Sequence, residues 1–215
     1  MSKSPSPLAN QTFRTPFSPA YWRCAAAELR DLRKLLVAAL FLALEIVLAG
    51  FYIPLGYNLI IYFTFFVKSL GAMIYGPIVA VLSAFIGDNL GFFLHPNGPY
   101  FPGYTLSAVL GSLIYALFFY RARVGPLRIV LAKLLVNIPV NVALGCVWSA
   151  MLYGKGYLYY FAKSIVKNVA LLPVEVALLL VFFGGMVPIL IRAKLVPPQS
   201  QYFRRRKKPD DRAPV

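Results

Sequence analysis

Two lysines and an asparagine near position 165 are the side chains best suited to hold an anion. Lys163 and Lys167 are four residues apart, so they are neighbours on one helix face, where like charges repel by about 0.2–0.5 kcal/mol. Asn168 follows directly and adds an amide that can donate and accept hydrogen bonds. A carboxylate or phosphate would relieve the repulsion, although two such lysines can also extend to lipid headgroups.

A polar stripe precedes these lysines. Asn137 and Asn141 are one turn apart and Trp148 follows seven residues later, which places all three on one helix face, while Pro139 loosens the backbone between them. Asparagine is costly inside a bilayer unless it is hydrogen-bonded, so the stripe is expected to face the bundle interior or a cavity. Trp148 could stack on a planar ring or belong to the interfacial aromatic belt.

The run from His95 to Ser107 carries no acidic residue, lysine or arginine, and contains three prolines, two glycines and three aromatic rings. Prolines fix φ and glycines permit unusual backbone angles, so this segment is expected to be a shaped loop. It could be the wall or lid of a small-molecule site, or a compact connector between helices.

Little in the chain favours an enzyme. His95 is the sole histidine, and no serine, cysteine or carboxylate is placed to make it a convincing base. The phosphate-binding pattern Gly-x-x-x-x-Gly-Lys-Ser/Thr is absent, and Cys24 and Cys146 indicate neither a disulfide framework nor a metal site. The acids within apolar segments are Glu45, Asp88 and Glu175, which suit a functional site or interhelical pairing equally well.

The composition predicts which kind of secondary structure must position these residues. Sixty per cent of the 215 residues are hydrophobic, 13% are charged, and the mean hydropathy is +0.69, which excludes an ordinary soluble domain. The chain is predicted to be an all-α membrane protein with six transmembrane helices in a single bundle. The predicted spans are about Leu35–Tyr52, Asn58–Met73, Pro77–Leu94, Tyr104–Tyr120, Leu127–Leu152 and Phe161–Ile191, the second and third being joined at Tyr75-Gly76-Pro77.

The net charge of +15 reports topology better than it reports nucleic-acid binding, because basic residues crowd the two ends and the expected inner loops. Both termini are predicted to be cytoplasmic at the cell membrane. We expect residues 1–33 to be a disordered basic lead-in, residues 34–192 the membrane domain, and residues 193–215 a basic tail at an anionic leaflet.

Helix 1 carries Ala39 and Ala43, and small residues four apart let another helix approach closely. This face could pack within the bundle or dock a partner membrane protein.

Together these segments resemble the folate-type S components of energy-coupling factor (ECF) vitamin transporters. The most specific part is the string Pro99-Tyr-Phe-Pro-Gly-Tyr-Thr-Leu-Ser-Ala108. Similar segments are Asn141 to Gly154, Lys167-Asn168-x4-Pro173, Gly76-Pro77 through Asp88, and Ala39-x3-Ala43. The resemblance covers about residues 34 to 183.

The resemblance implies a six-helix substrate-binding subunit with no ATPase and no cofactor of its own. It would capture a vitamin from outside in a pocket covered by the loops after helices 1, 3 and 5. It would then dock through Ala39 and Ala43 onto a transmembrane coupling subunit attached to two ATPases that hydrolyse ATP. In the family, the whole S component is thought to tip over in the membrane.

The resemblance also implies a set of substrate-binding residues for a planar, anionic vitamin, most simply a folate. Ring contacts would come from Tyr100, Phe101, Tyr104 and Trp148, polar contacts from Thr105, Asn141 and Asn168, and charge from Lys163 and Lys167. Folate-type members often carry an arginine near the outer end of helix 1, where this chain has Leu48-Ala49-Gly50-Phe51-Tyr52. The alternatives are an S component for another vitamin or precursor, a stand-alone membrane carrier, or a membrane enzyme that uses His95.

Overall fold

A computed structural model describes residues 16, 18–56, 59–94, 99–154 and 156–198, and it shows a helical bundle with one small hairpin. The elements in chain order are α1 (Pro19–Glu28), α2 (Leu32–Ala49), β1 (Tyr52–Gly56), β2 (Leu59–Tyr62), α3 (Thr64–Leu94), α4 (Pro102–Phe119), α5 (Pro126–Leu135), a π-helical segment (Val136–Leu144), α6 (Gly145–Tyr153) and α7 (Tyr157–Arg192).

Four helical stretches of the described chain are long and apolar enough to cross a membrane: Thr64–Leu94, Pro102–Phe119, Pro126–Tyr153 and Tyr157–Arg192. The 18-residue helix α2 is apolar as well but includes Arg33, Lys34 and Glu45. The predicted helical membrane bundle is therefore confirmed, whereas the count of six spans stays a prediction.

Helix α3 is two helices that double back at Gly76. Lys68 Nζ lies 3.1 Å from Glu45 Oε1, and a Cβ built on Gly87 would lie 3.8 Å from that same oxygen. On a straight helix, residues 68 and 87 would be about 28 Å apart, so the chain must reverse between them. Gly76 has φ +78° and ψ 179°, and a Cβ there would lie 2.9 Å from the Tyr120 ring, so only glycine fits this turn. The break predicted at Tyr75-Gly76-Pro77 is confirmed.

The start predicted for the second span is wrong. A helix was expected from Asn58, which lies outside the described residues, but an antiparallel hairpin pairs Tyr52 with Tyr62 and Ile53 with Ile61, and α3 begins only at Thr64. The segment is rich in β-branched and aromatic residues, which favour strands, and the Tyr52 and Tyr62 rings lie 6.0 Å apart across the hairpin.

Pro139 widens the fifth predicted span. It lacks an N–H group and its ring collides with the carbonyl four residues earlier, so the helix between α5 and α6 takes the wider π form. This confirms the predicted loosening around Pro139.

Helix α1 lies within the lead-in that was predicted to be disordered, so the structure differs from that prediction at residues 19–28. Ser18 caps the helix by accepting a hydrogen bond from the Tyr21 N–H at 3.3 Å. The Tyr21 side chain is buried against the bundle and its hydroxyl donates to the Ala116 carbonyl at 3.1 Å. The cap and the packing of Tyr21 against the bundle therefore account for the helix in this part of the lead-in. Residues 1–15 and 17 of the predicted lead-in, and residues 199–215 of the predicted basic tail, lie outside the described residues.

Candidate functional site

A cavity of about 360 Å³ runs from the hairpin into the middle of the bundle. Its walls come from the end of β2, both halves of α3, the first part of α4, and the middle of the α5–α6 stretch and of α7. The residues that line it are Tyr62, Thr64, Phe65, Lys68, Asp88, Tyr104, Ser107, Ala108, Gly111, Tyr115, Lys133, Val136, Asn141 and Glu175. Along α4, Tyr115 lies about 16 Å deeper than Tyr104, so the cavity has a mouth and a floor.

The floor contains a buried ion pair. Lys133 is 3% exposed, and its Nζ lies 3.2 Å from Glu175 Oε2 and 4.2 Å from the centre of the Phe65 ring. Asn137 donates to the same Glu175 oxygen at 2.8 Å, and Asn141 donates to Asn137 Oδ1 at 3.3 Å. This chain of contacts links the deepest charges to the asparagine that lines the cavity.

The Tyr115 hydroxyl is buried beside this floor without a partner. It is fully enclosed, lines the cavity, and makes no hydrogen bond within the described part of the chain. A buried polar group left unpaired costs about 1–3 kcal/mol, so this hydroxyl is available to a ligand.

A carboxylate projects into the cavity from the second half of α3. Asp88 Oδ2 accepts a 2.7 Å hydrogen bond from the Thr105 hydroxyl at the start of α4. Within the described residues its other oxygen has no partner, and could accept a hydrogen bond from a bound molecule.

Aromatic and hydroxyl groups surround the mouth. Trp148 Nε1 donates to Ser107 Oγ at 2.9 Å, and the Tyr104 hydroxyl lies 3.1 Å from Ser149 Oγ. The Phe101 ring lies 5.8 Å from Trp148 and 6.2 Å from Tyr104. The motif Pro99 to Ala108 thus joins the start of α4 to α6 over the cavity.

A glycine makes this junction close. A Cβ on Gly103 would lie 2.4 Å from Phe101 Cε1 and 2.6 Å from Trp148 Cδ2, so any larger residue would displace both rings.

The predicted site residues fall into three groups: those that line the cavity, those that contact its lining, and those that lie outside it. Tyr104 and Asn141 line the cavity, while Thr105, Phe101 and Trp148 contact residues that line it. Tyr100 instead donates to Asn89 Oδ1 at 2.8 Å and packs its ring 5.2 Å from Phe92.

Lys163, Lys167 and Asn168 lie near the start of α7, outside the cavity lining. Both lysines are at least partly exposed, and the Asn168 amide donates to the Ser164 carbonyl of its own helix at 2.9 Å. Their part in binding stays a prediction.

Sequence reasoning missed Lys133. The signal was present, because a single lysine interrupts the apolar segment from Leu127 to Leu152, and ionisable residues inside such segments usually have a function. Asp88 and Glu175 were noted only as acids, since nothing local indicates that Thr105 and Lys133 are their partners.

Ala39 and Ala43 lie on the outer face of α2. Both are exposed, as are Leu40 at 69% and Val47 at 59%. Within the described residues this face is not packed inside the bundle, and its predicted role in docking a partner stays a prediction.

The described residues contain no group of three or more His, Cys, Asp or Glu side chains that could hold a metal. Cys24 and Cys146 are buried free thiols. His95, the candidate base of the enzyme alternative, lies outside the described residues.

The chain is similar to known proteins in both sequence and fold. The family model for the ECF transporter, substrate-specific component, matches residues 33–198. A folate transporter FolT from Clostridium novyi (strain NT) is 31% identical over 147 residues, which is 68% of this chain and 86% of the relative. A folate transporter FolT from Leuconostoc mesenteroides subsp. mesenteroides is 30% identical over 155 residues, covering 69% and 83% of the two chains.

A crystal structure of FolT bound with folic acid has a similar fold. It superposes with a TM-score of 0.64 at 30% sequence identity and covers 73% of this chain and 94% of that one. The family model covers most of the membrane domain, and both kinds of relative agree with it. The resemblance predicted from the Pro99 to Ala108 motif is confirmed, and the chain belongs to the family of substrate-specific components of ECF transporters.

Proposed function

We propose that this chain captures folate, or a closely related planar anionic vitamin, for an ATP-driven ECF importer. The observation that carries the proposal is the deep polar cavity beneath the Pro99 to Ala108 motif in a chain 30% identical to a FolT crystallised with folic acid.

The cavity has the chemistry that a pterin requires. A pterin is flat and alternates hydrogen-bond donors and acceptors along its edge. The cavity offers an Asp88 oxygen and the Tyr104 ring near its mouth, the amide of Asn141, and the Phe65 ring and the Tyr115 hydroxyl at its floor. Pockets of about 300–1,000 Å³ with a few fixed polar groups suit ligands of this size.

The two carboxylates of folate then extend toward the mouth. Both lysines that line the cavity already have acidic partners, Lys68 in Glu45 and Lys133 in Glu175. Lys163 and Lys167 have no ion-pair partner within the described residues and begin the helix that follows α6. They are the proposed cations for the glutamate tail, in place of an arginine at the end of α2, with Asn168 beside them.

Tryptophan fluorescence of the purified protein tests ligand binding. Trp148 lies at the mouth, whereas Trp22 is exposed on α1, so folic acid is expected to quench Trp148 selectively. Trp22→Phe should retain the quenching and Trp148→Phe should lose it. Tight binding of riboflavin, thiamine or biotin, with none of folic acid by calorimetry, would reject the substrate and leave the family unchanged.

A charge test addresses the tail. Replacing both Lys163 and Lys167 by Gln should weaken folic acid binding about tenfold, because two partly exposed cations together contribute about 1–2 kcal/mol. Arg123→Gln, an exposed arginine on the loop at the other end of α4, is the matched control. Pteroic acid, which lacks the glutamate tail, should bind the double variant and the wild type equally.

Docking is the second half of the proposed function. The small-residue face of α2, with Ala39 and Ala43, would contact a transmembrane coupling subunit that carries two ATPases, with both termini of the chain on the cytoplasmic side. Ala43→Trp should abolish copurification with the coupling subunit and leave folic acid binding intact. Val181→Trp, at a position 78% exposed on α7, controls for bulk. Folate transport by the chain alone in liposomes without ATP would overturn the coupled mechanism in favour of a stand-alone carrier.

A further inference from the structure

A second, larger cavity lies at the opposite end of the bundle, away from the mouth of the first. Its volume is about 720 Å³, and its walls are α1, the start of α2, the reversal of α3, the end of α4, and the end of α7 with the residues that follow it. Its lining residues are Arg23, Cys24, Ala27, Glu28, Asp31, Lys34, Met73, Ile74, Tyr120, Arg121, Ile191, Lys194, Leu195, Val196, Pro197 and Pro198. The match to the family model begins at residue 33, so the α1 wall lies outside it.

The acids of this cavity already have partners. Glu28 is 4% exposed and forms ion pairs with Lys34 and, at 3.1 Å, with Arg121. The Tyr120 hydroxyl donates to Glu28 at 2.7 Å, and burial together with the nearby carboxylate raises the pKa of Tyr120, so the hydroxyl stays protonated. Asp31 caps α2 by accepting the Arg33 N–H at 3.1 Å. Glu28 is therefore neutralised by the protein, and one Asp31 oxygen is engaged at the helix cap.

The cavity has more cations than it has acids. Arg23 and Lys194 line it in addition to Lys34 and Arg121, against the two carboxylates, and neither Arg23 nor Lys194 forms an ion pair within the described residues. The Lys194 backbone, which has φ +56°, is held by its own hydrogen bond to the Ile191 carbonyl at 3.0 Å and by the bond from Arg33 Nη2 to the Ala193 carbonyl at 3.0 Å. The side chains of Arg23 and Lys194 are exposed at the rim, and a surplus of positive charge at a cavity favours an anion.

The remaining walls are apolar. Met73 and Ile74 of α3 are buried, as is Val196 after α7, whereas Ile191 of α7 and Leu195 beyond its end are partly exposed. Trp22, which is next to Arg23 and 42% exposed, is of the kind that concentrates at the boundary between headgroups and acyl chains. A soluble anion would leave Ile191 and Leu195 uncovered, whereas a lipid would cover them.

We propose that this cavity binds one anionic glycerophospholipid, with the headgroup phosphate between Arg23 and Lys194 and the first part of an acyl chain along Ile191 and Leu195. The site is separate from the vitamin cavity. Helix α1 forms its outer wall, so the N-terminal segment gives the membrane domain a lipid-specific contact.

Native mass spectrometry of the full chain in a neutral detergent tests the proposal without assuming an orientation in the membrane. The protein is titrated with phosphatidylglycerol and with phosphatidylcholine of the same acyl chains. We expect one phosphatidylglycerol to be retained in preference to phosphatidylcholine. The double variant Arg23→Gln/Lys194→Asn should bind it about thirtyfold more weakly, about a factor of five for each basic residue. Asparagine is chosen at position 194 because it tolerates positive φ.

The matched control is Arg30→Gln/Arg123→Asn, which removes the same charge from two exposed arginines outside the cavity. It should bind phosphatidylglycerol as the wild type does. Equal weakening in both double variants would reduce the effect to net charge and overturn the site, as would equal retention of the two lipids. Stabilisation by inorganic phosphate without binding of phosphatidylglycerol would reject the lipid in favour of a free anion.

A folding control accompanies the titration. Without added lipid, the melting temperature and the folic acid quenching of Trp148 should be the same in the wild type and both double variants. If Arg23→Gln/Lys194→Asn melts lower, the single variant Lys194→Asn decides, with an expected loss of about fivefold. Unchanged binding by that variant would overturn the proposal.

Discussion

Glu175 lies in the middle of the bundle and Glu28 at its end, and their carboxylates are neutralised in different ways. Glu175 has one cation, the 3% exposed Lys133, and an amide donor from Asn137. Glu28 has two cations, with side chains 15% and 11% exposed, and a tyrosine hydroxyl.

The position along the bundle explains the difference, and the burial of the carboxylate itself does not, since the Glu28 side chain is 5% exposed and that of Glu175 is 14% exposed. In the middle of a membrane bundle an uncompensated charge is very costly, so Lys133 and Glu175 balance one to one and a neutral amide completes the hydrogen bonding. Near the surface a surplus cation can reach water or a lipid phosphate, so two basic residues can share one carboxylate. The first arrangement suits a neutral planar ring, and the second suits an anion.

The largest expected loss of stability comes from breaking the ion pair between Lys133 and Glu175. Lys133→Met leaves Glu175 buried without its cation and should lower the free energy of unfolding by about 3–5 kcal/mol. Denaturant titration in detergent measures it. The double variant Lys133→Met/Glu175→Gln removes both charges and should recover most of the loss. A double variant as unstable as the single one would show that the pairing is not what stabilises this floor.

Removing the Glu28 carboxylate at the end of the bundle should lower the free energy of unfolding by a smaller amount. Glu28→Gln removes the carboxylate but leaves Lys34 and Arg121 able to reach solvent, so we expect about 1.5–3 kcal/mol from the lost charged hydrogen bonds. The same titration compares the two variants. A loss as large as that of Lys133→Met would contradict the distinction between deep and surface charges.

A substitution at the backbone reversal of α3, at Gly76, is expected to have the next largest effect. Gly76→Ala puts a Cβ on a residue with φ +78° and ψ 179°, a region essentially restricted to glycine, and 2.9 Å from the Tyr120 ring, so it should cost about 1–3 kcal/mol. Gly91→Ala is the matched control, since no atom outside the helix backbone lies within 4 Å of its Cβ; it should be neutral or stabilising. The melting temperatures of the two variants provide the measurement.

The smallest effect has opposite signs in the free and bound protein. Tyr115→Phe removes a buried hydroxyl that has no partner within the described residues, so the free protein should gain about 1 kcal/mol. Folic acid should bind more weakly if it accepts or donates a hydrogen bond at that place. Melting temperatures without and with folic acid separate the two effects, and a loss of stability in the free protein would mean that the hydroxyl is already satisfied.

Much of the fold could be predicted from local patterns. Apolar length identified the helical segments, Gly76-Pro77 the reversal, and Pro139 the irregular turn, because each depends on residues adjacent in sequence. The hairpin at Tyr52 to Tyr62 was missed because an apolar run of β-branched and aromatic residues fits a buried helix as well as a strand. Helix α1 was missed because its apolar face is short and becomes stable only against α3 and α4.

The candidate site divides in the same way. The Pro99 to Ala108 motif was identified because its prolines and rings are contiguous, and Asn141 because the stripe on its helix is regular. The partners of charged groups could not be predicted from neighbouring residues, because Lys133 and Glu175 are 42 positions apart and only the packing of the bundle brings them together.

The sequence by itself determined that this is a helical membrane protein and which family it belongs to, since hydropathy and a short motif are properties of neighbouring residues. Only the tertiary structure decided which charges meet. It paired Lys133 with Glu175, gave Glu28 two cations, and left Tyr115, Arg23 and Lys194 available around two cavities. Electrostatic pairing depends on distance in space, and in a helical bundle that distance is set by packing between segments far apart in the chain.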